Sequence, residues 1–201
     1  MTFRRFSTSP IRLIAVLSTL ATLPHAYAED RLIDDFGPAS QAAFQWSVVD
    51  DGVMGGLSKG KATFTAEGTL LFQGTLSLEN NGGFSSIRST TLDLDLRGFE
   101  GLALRVKGDG RTYQVRLSSE ARYRGMEVSF MAEFATKKDE WVEVRVPFST
   151  LKGSFRGTML PEASFNPAKI ERLGLLLGDN QEGAFALEVD WVHAFQKSDP
   201  R

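Results

Sequence analysis

Cysteine is absent from the 201-residue chain. That absence excludes disulfides, cysteine-ligated zinc, iron–sulfur clusters and thiol catalysis, so core packing alone must hold the fold. Histidine is nearly absent: His25 and His193 are the only two. No serine stands by sequence context beside His193 as an activated nucleophile, and a lone strand histidine is a packing or edge residue far more often than a base. Long apolar runs are missing as well. The stretch from Leu13 to Leu23 is about half of the roughly 20 residues that a membrane-spanning helix needs, so no permanent anchor is expected. Long helical periodicity and fixed-period repeats are also missing, which excludes helical bundles, solenoids and propellers.

Acids are missing from the first 28 residues, which hold Arg4, Arg5 and Arg12, then the apolar run, then Ala26-Tyr27-Ala28. A basic head, an apolar middle and a small-x-small exit read as a secretory signal over residues 1–28, cleaved before Glu29. The expected destination is the periplasm or the exterior; an arginine-rich, acid-free start leaves a mitochondrial presequence as the alternative. Without those residues, 20 basic and 25 acidic side chains remain, a formal charge of −5. Such a balance, with no basic stripe, argues against a nucleic-acid partner. A chain of this length buries about 70% of its unfolded surface, enough for one domain over 29–196, followed by a polar tail at 197–201.

What fills the domain is short-range alternation. Leu102, Leu104 and Val106 alternate with Ala103, Arg105 and Lys107; Tyr113, Val115 and Leu117 with Gln114 and Arg116; Val142, Val144 and Val146 with Trp141, Glu143 and Arg145. Each run is a half-buried antiparallel strand, dry on one side and wet on the other. Gly108-Asp109-Gly110 is expected to close a hairpin, and the aperiodic 153–167 stretch, with Arg156, to form a long loop. Leu173 to Leu177, nearly continuous in apolar residues, reads as a central strand covered on both sides. The last strand is expected to put Phe185, Leu187, Val189, Trp191 and His193 on one face, and Trp46 and Trp191 are assigned to the core. About a dozen such strands and almost no helix predict an all-β fold, an antiparallel two-layer β-sandwich.

The glycines do not build a nucleotide site. Gly108-Asp109-Gly110 joins strand to strand and has Tyr113 where a dinucleotide loop needs a third glycine, while Gly55-Gly56 lacks the lysine and hydroxyl of a P-loop. The acid pairs Asp34-Asp35, Asp50-Asp51 and Asp93-x-Asp95 do not make a glycosidase dyad, because strand neighbours point to opposite faces. Leu104 stands where a calcium loop starting at Asp93 needs its terminal glutamate. No cofactor or catalytic metal is expected; an irregular structural calcium site stays open beside solvated turn carboxylates. Three features offer binding chemistry. Arg88, Arg105, Gln114 and Arg116 fall on outward positions and present forked donors to carboxylates or carbonyls, with Trp141 expected on the same face as an anchor. Arg156 adds a cation from the loop. Asp51, Asn80 and Asn81 form an alternative, sugar-binding set of hydroxyl partners. The plain reading of the arginine face is a wet surface balanced by Glu127, Glu133 and Glu143.

Three spaced stretches carry a resemblance: Asp51-Gly52-Val53-Met54-Gly55-Gly56-Leu57-Ser58, Glu79-Asn80-Asn81-Gly82-Gly83-Phe84-Ser85-Ser86-Ile87-Arg88 and Lys107-Gly108-Asp109-Gly110-Arg111-Thr112-Tyr113-Gln114. They resemble the NADH:ubiquinone oxidoreductase (complex I) intermediate-associated protein 30 family. The resemblance implies a jelly-roll sandwich similar to galactose-binding domains and a non-enzymatic, chaperone-like helper in respiratory-complex assembly. It implies a protein partner, a subunit of a membrane complex, and no catalytic residues. The residues themselves keep a second class open, an exported carbohydrate-binding module whose partner is a glycan.

Overall fold

Strands apolar on one side only must bury that side against a second layer. The computed structural model, which describes residues 30–43 and 45–196, satisfies this with two antiparallel sheets packed face to face. The expected leader and tail lie outside the described residues. In chain order the elements are β1 (Arg31–Asp34), α1 (Pro38–Ala43), β2 (Trp46–Asp50), β3 (Lys59–Phe64), β4 (Leu70–Leu76), β5 (Ser85–Ser89), β6 (Gly101–Lys107), β7 (Thr112–Tyr123), β8 (Met126–Ala135), β9 (Trp141–Pro147), β10 (Lys152–Phe155), β11 (Thr158–Met159), β12 (Arg172–Leu177) and β13 (Gly183–Phe195). The smaller, six-stranded sheet runs β3-β4-β13-β6-β9 with β1 attached to β13; the larger, seven-stranded sheet runs β11-β10-β8-β7-β12-β5-β2. This is the antiparallel two-layer sandwich that the alternation predicts, in keeping with the jelly roll that the family resemblance implies.

The core fills the space between the sheets. Phe72, Leu104, Val106, Leu187 and Val189 from the smaller sheet meet Ile87, Tyr113, Val115, Leu175 and Leu177 from the larger. Each fully buried aliphatic or aromatic side chain contributes about 2 kcal/mol. Central β12, flanked by β7 and β5, puts Leu173, Leu175 and Leu177 into the core. Its alternate residues, Gly174 and Leu176, line the outer face, so only one side of this strand is covered by the opposing sheet.

Four expectations are corrected by the topology. Gly108-Asp109-Gly110 is not a hairpin turn, because β6 belongs to the smaller sheet and β7 to the larger; the segment crosses between layers. A Cβ at Gly108 would lie 2.3 Å from Thr136 Oγ1, so this crossover needs glycine. The 153–167 stretch is in part a hairpin of β10 with β11, turning on Arg156 (φ 48°) and Gly157 (φ 81°). Two successive positive φ values are what a type I′ turn requires, and strands this short show no period in sequence. On β13 a bulge between Val189 and Trp191 inserts one residue and reverses the alternation. Val192 and Ala194 are therefore buried, while Trp191 and His193 sit half-exposed with ring centroids 4.5 Å apart. Trp191 is thus not core. Trp46 is half-buried and packs against the core beside Phe36.

Candidate partner-binding groove

The glycine-rich turns form corners, and each is pinned by a carboxylate. Asp51 is fully buried: its Oδ1 accepts the Ser58 N–H at 3.0 Å, and its Oδ2 accepts the Ser58 hydroxyl at 2.6 Å and the Gly83 N–H at 2.7 Å. A Cβ at Gly56 would stand 2.3 Å from the Asp51 carboxyl carbon, so the turn closes tightly around the acid. Burial opposes ionisation of Asp51, but the Ser58 hydroxyl and the N–H groups of Gly83, Phe84 and Ser58 outweigh it and hold the carboxyl below the ordinary range. The second corner is Asp109, whose Oδ2 accepts the Tyr113 hydroxyl at 3.1 Å and the Ala186 N–H at 2.9 Å. Beside it Arg111 grips Asp179 through two nitrogens at 2.9 and 2.6 Å. The side chains of this pair are 10% and 8% exposed, so it is a buried clasp between crossover and the loop before β13.

Asp51 is therefore not available to a sugar, since its oxygens are committed inside the corner. Asn80 and Asn81 occupy the left-handed region at φ 56° and 59°, and the Asn80 side-chain amide donates to the Gly55 carbonyl at 3.2 Å. Asn80 supports the same corner from outside, and neither asparagine lines the groove described next.

That groove, of about 780 Å³, lies across the outer face of the larger sheet. It runs from the turn carrying Val53 and Met54, beyond edge strand β2, to the Arg156-Gly157 turn at the opposite edge. Strand register sets its floor in rows. Ser47, Arg88, Gly174, Arg116 and Met131 stand side by side across β2, β5, β12, β7 and β8, and the middle three line the groove. Neighbouring rows hold Ser86, Leu176 and Gln114, with Glu133 beyond the lining and accepting from the Gln114 amide at 3.3 Å, and Arg172, Ser118, Ser129 and Ser154. Gly174 sits between the arginines at a close approach: a Cβ there would be 2.8 Å from the Ile87 carbonyl and 3.6 Å from both Arg116 Cβ and Arg88 Cγ.

Arg116 is the unusual group. Its guanidinium donates to Gln114 Oε1 at 3.0 and 2.7 Å and to the Ser129 and Ser154 hydroxyls at 3.2 and 3.4 Å, all neutral acceptors. Burial, together with the adjacent Arg88, pulls its pKa down to about 10. Among the described residues Arg88 has no ion pair either, and Arg156 only rests its guanidinium over the Phe155 ring at 5.4 Å. The acid in the lining, Glu127, is already bound to Arg172 at 3.1 Å. The Ser118 hydroxyl faces the same floor, buried and without a hydrogen-bond partner.

The predicted arginine face is thus divided. Arg88, Gln114, Arg116 and Arg156 come together in the groove, whereas Arg105 and Trp141 lie on β6 and β9 of the smaller sheet, facing the other way. Parity along each strand is correct; sheet membership is what separates them. On the smaller sheet every cation of that patch is matched: Arg105 with Asp190 at 2.5 Å, Lys107 with Glu188 at 2.6 Å and Arg145 with Glu143 at 2.9 Å. Trp141 lies beneath Arg105 and Lys107, 5.0 and 4.8 Å from its ring centroid. Sequence reasoning missed Ser118, Ser129, Ser154, Leu176 and Gly174. A glycine inside the apolar run of β12 was the one available signal, since such a residue marks a close approach or a gap. Among the described residues no group of three or more His, Asp or Glu side chains is arranged to hold a metal, and no helix is long and apolar enough to cross a membrane.

Residues 35–189 match the sequence profile of Complex I intermediate-associated protein 30. The chain belongs to that family. A mouse (Mus musculus) relative, "Complex I intermediate-associated protein 30, mitochondrial", is 29% identical over an alignment of 171 residues, gaps included, that covers 75% of this chain and 52% of the relative. The chain therefore spans about half the length of this curated relative. Among solved structures, a family 11 carbohydrate-binding module from Clostridium thermocellum, in complex with a β-1,3-1,4-mixed-linked tetrasaccharide, superposes with a TM-score of 0.60 at 12% identity, covering 83% of this chain and 96% of the module. An agarase superposes with a TM-score of 0.54 at 12% identity over 84% of this chain and 25% of the enzyme. At these identities the likeness establishes the sandwich. In this member of the family, the three stretches that carry the resemblance supply the two carboxylate-pinned corners, plus Arg88 and Gln114 of the groove.

Proposed function

We propose that this protein is a non-enzymatic, protein-binding assembly factor for a membrane respiratory complex of the NADH dehydrogenase kind, and that it holds its partner subunit in the groove over the larger sheet. Family membership supplies the biological setting. The observation that carries the choice of surface is Arg116, a half-buried guanidinium with no carboxylate to meet it. A partly desolvated cation without a counter-charge costs some stability, and a ligand that brings the missing charge would offset that cost. Exposed Val53 and Met54, at 77% and 62%, add an adaptable apolar rim suited to another protein.

Carbohydrate binding is the second reading, favoured by the fold of the Clostridium module. It meets one physical objection in the groove: the aromatic side chains lining it are Phe84 and Phe155, with no tryptophan or tyrosine to combine a flat stacking face with a polar edge. As to location, the expected secretory leader points to export, while the mitochondrial name of the mouse relative supports the alternative. N-terminal sequencing of the mature protein from fractionated cells decides between them, with a start at Glu29 in an envelope fraction expected for export. The function is tested by deleting the gene and resolving membrane complexes on native gels. Accumulated sub-complexes of the NADH dehydrogenase are expected; a normal complement of assembled, active enzyme would refute the assembly role.

A further inference from the structure

We infer that the groove takes an acidic segment of polypeptide, whose carboxylates pair with Arg88 and Arg116 on either side of Gly174 and whose apolar side chains rest on Leu176, Val53 and Met54. The inference deepens the assembly-factor reading and rests on it for the choice of a protein ligand. Three observations converge. Arg88 and Arg116 stand on either side of a residue without a side chain, Arg116 held by Gln114, Ser129 and Ser154 and neither arginine by a carboxylate. The groove's own carboxylate, Glu127, is occupied by Arg172 and leaves the two arginines uncompensated. The buried Ser118 hydroxyl lacks any partner, which marks a polar contact left for a ligand.

Polypeptide is favoured over other anions by the remaining lining. Leu176, Met126, Phe84, Val53 and Met54 present apolar surface between and around the charges, which suits alternating acidic and apolar side chains. A chain running along the groove, across the strands, would set carboxylates against the arginines and apolar groups against that surface. A free phosphate or an acidic sugar makes no use of it.

The test is fluorescence anisotropy of the purified protein with a labelled peptide alternating Glu and Leu. Binding is expected to weaken as salt rises, and about tenfold with Arg88→Gln or with Arg116→Gln, the effect of losing one charge-assisted hydrogen-bonded pair. Arg105→Gln, on the matched face, is expected to leave it unchanged. Arg88 is exposed, so Arg88→Gln keeps the fold, as a melting curve verifies, even if Arg116→Gln does not. Equal binding of the Gln-for-Glu peptide, equal binding of polygalacturonate, full binding by Arg88→Gln, or no binding of the acidic peptide would each overturn the inference. Each of those results leaves the assembly role intact, because that role fails only if cells lacking the protein build the complex normally.

Discussion

The outer faces of the two sheets carry arginines on equivalent, outward strand positions and treat them in opposite ways. On the smaller sheet Arg105 has Asp190 as an ion-pair partner and Trp141 beneath it. On the larger sheet Arg116 lies deeper, meets only Gln114 and serine hydroxyls, and has Arg88 as its charged neighbour. One face has settled its electrostatics internally; the other has left them open. Residue type alone does not separate the two faces, and what distinguishes the proposed groove is a half-buried cation without a carboxylate partner. Arg111 gives a third case, buried but clasped by Asp179, in which the same side chain serves the fold.

Substitutions rank these three arginines. Arg111→Ala leaves Asp179 buried and unpaired and is expected to destabilise by about 4 kcal/mol, seen as a large fall in melting temperature. Asp51→Ala strips the acceptor from the Ser58 hydroxyl and from N–H groups at the corner, with an expected loss of about 3 kcal/mol in denaturant titration. Acid should act through the same pins. Asp51 and Asp179 have folded-state pKa values below their unfolded ones; for Asp179 burial opposes this and the Arg111 hydrogen bonds prevail. Their contribution is therefore complete above the ordinary aspartate pKa and is lost as pH falls below about 4. Wild-type melting temperature should drop across that window, and Asp51→Ala should drop less. Arg116→Met is expected to change stability by at most about 1 kcal/mol, toward greater stability, while partner binding falls; a loss of several kcal/mol would recast Arg116 as a structural residue. Arg105→Ala, at an exposed pair, should cost about 0.5 kcal/mol and leave binding unchanged.

Much of the sandwich was legible because alternation is local. The positions of Leu102, Leu104 and Val106 announce a half-buried strand without reference to the rest of the chain. What was not legible is non-local or depends on single-residue irregularities. Nothing in Gly108-Asp109-Gly110 distinguishes a turn within a sheet from a crossover between sheets, and nothing in Asp190-Trp191 announces the bulge that turns Trp191 outward. The candidate site inherits this limit. Arg88, Gln114 and Arg116 were assigned correctly to outward positions, but β5 and β7 become near neighbours only because β12, far along the chain, inserts between them. Arg105 and Trp141 share the outward parity and lie on the other sheet. Asp51 is a turn acid in sequence, and only the closing of Gly56 and Gly82 around it converts it into a buried pin.

The most direct test places a photo-crosslinking side chain at position 176, in the groove floor, or at position 141, on the matched face, and irradiates the protein in its native cells. The account predicts a specific adduct with a subunit of the membrane complex from position 176 and none from position 141. An adduct from 141 with silence at 176 would contradict it.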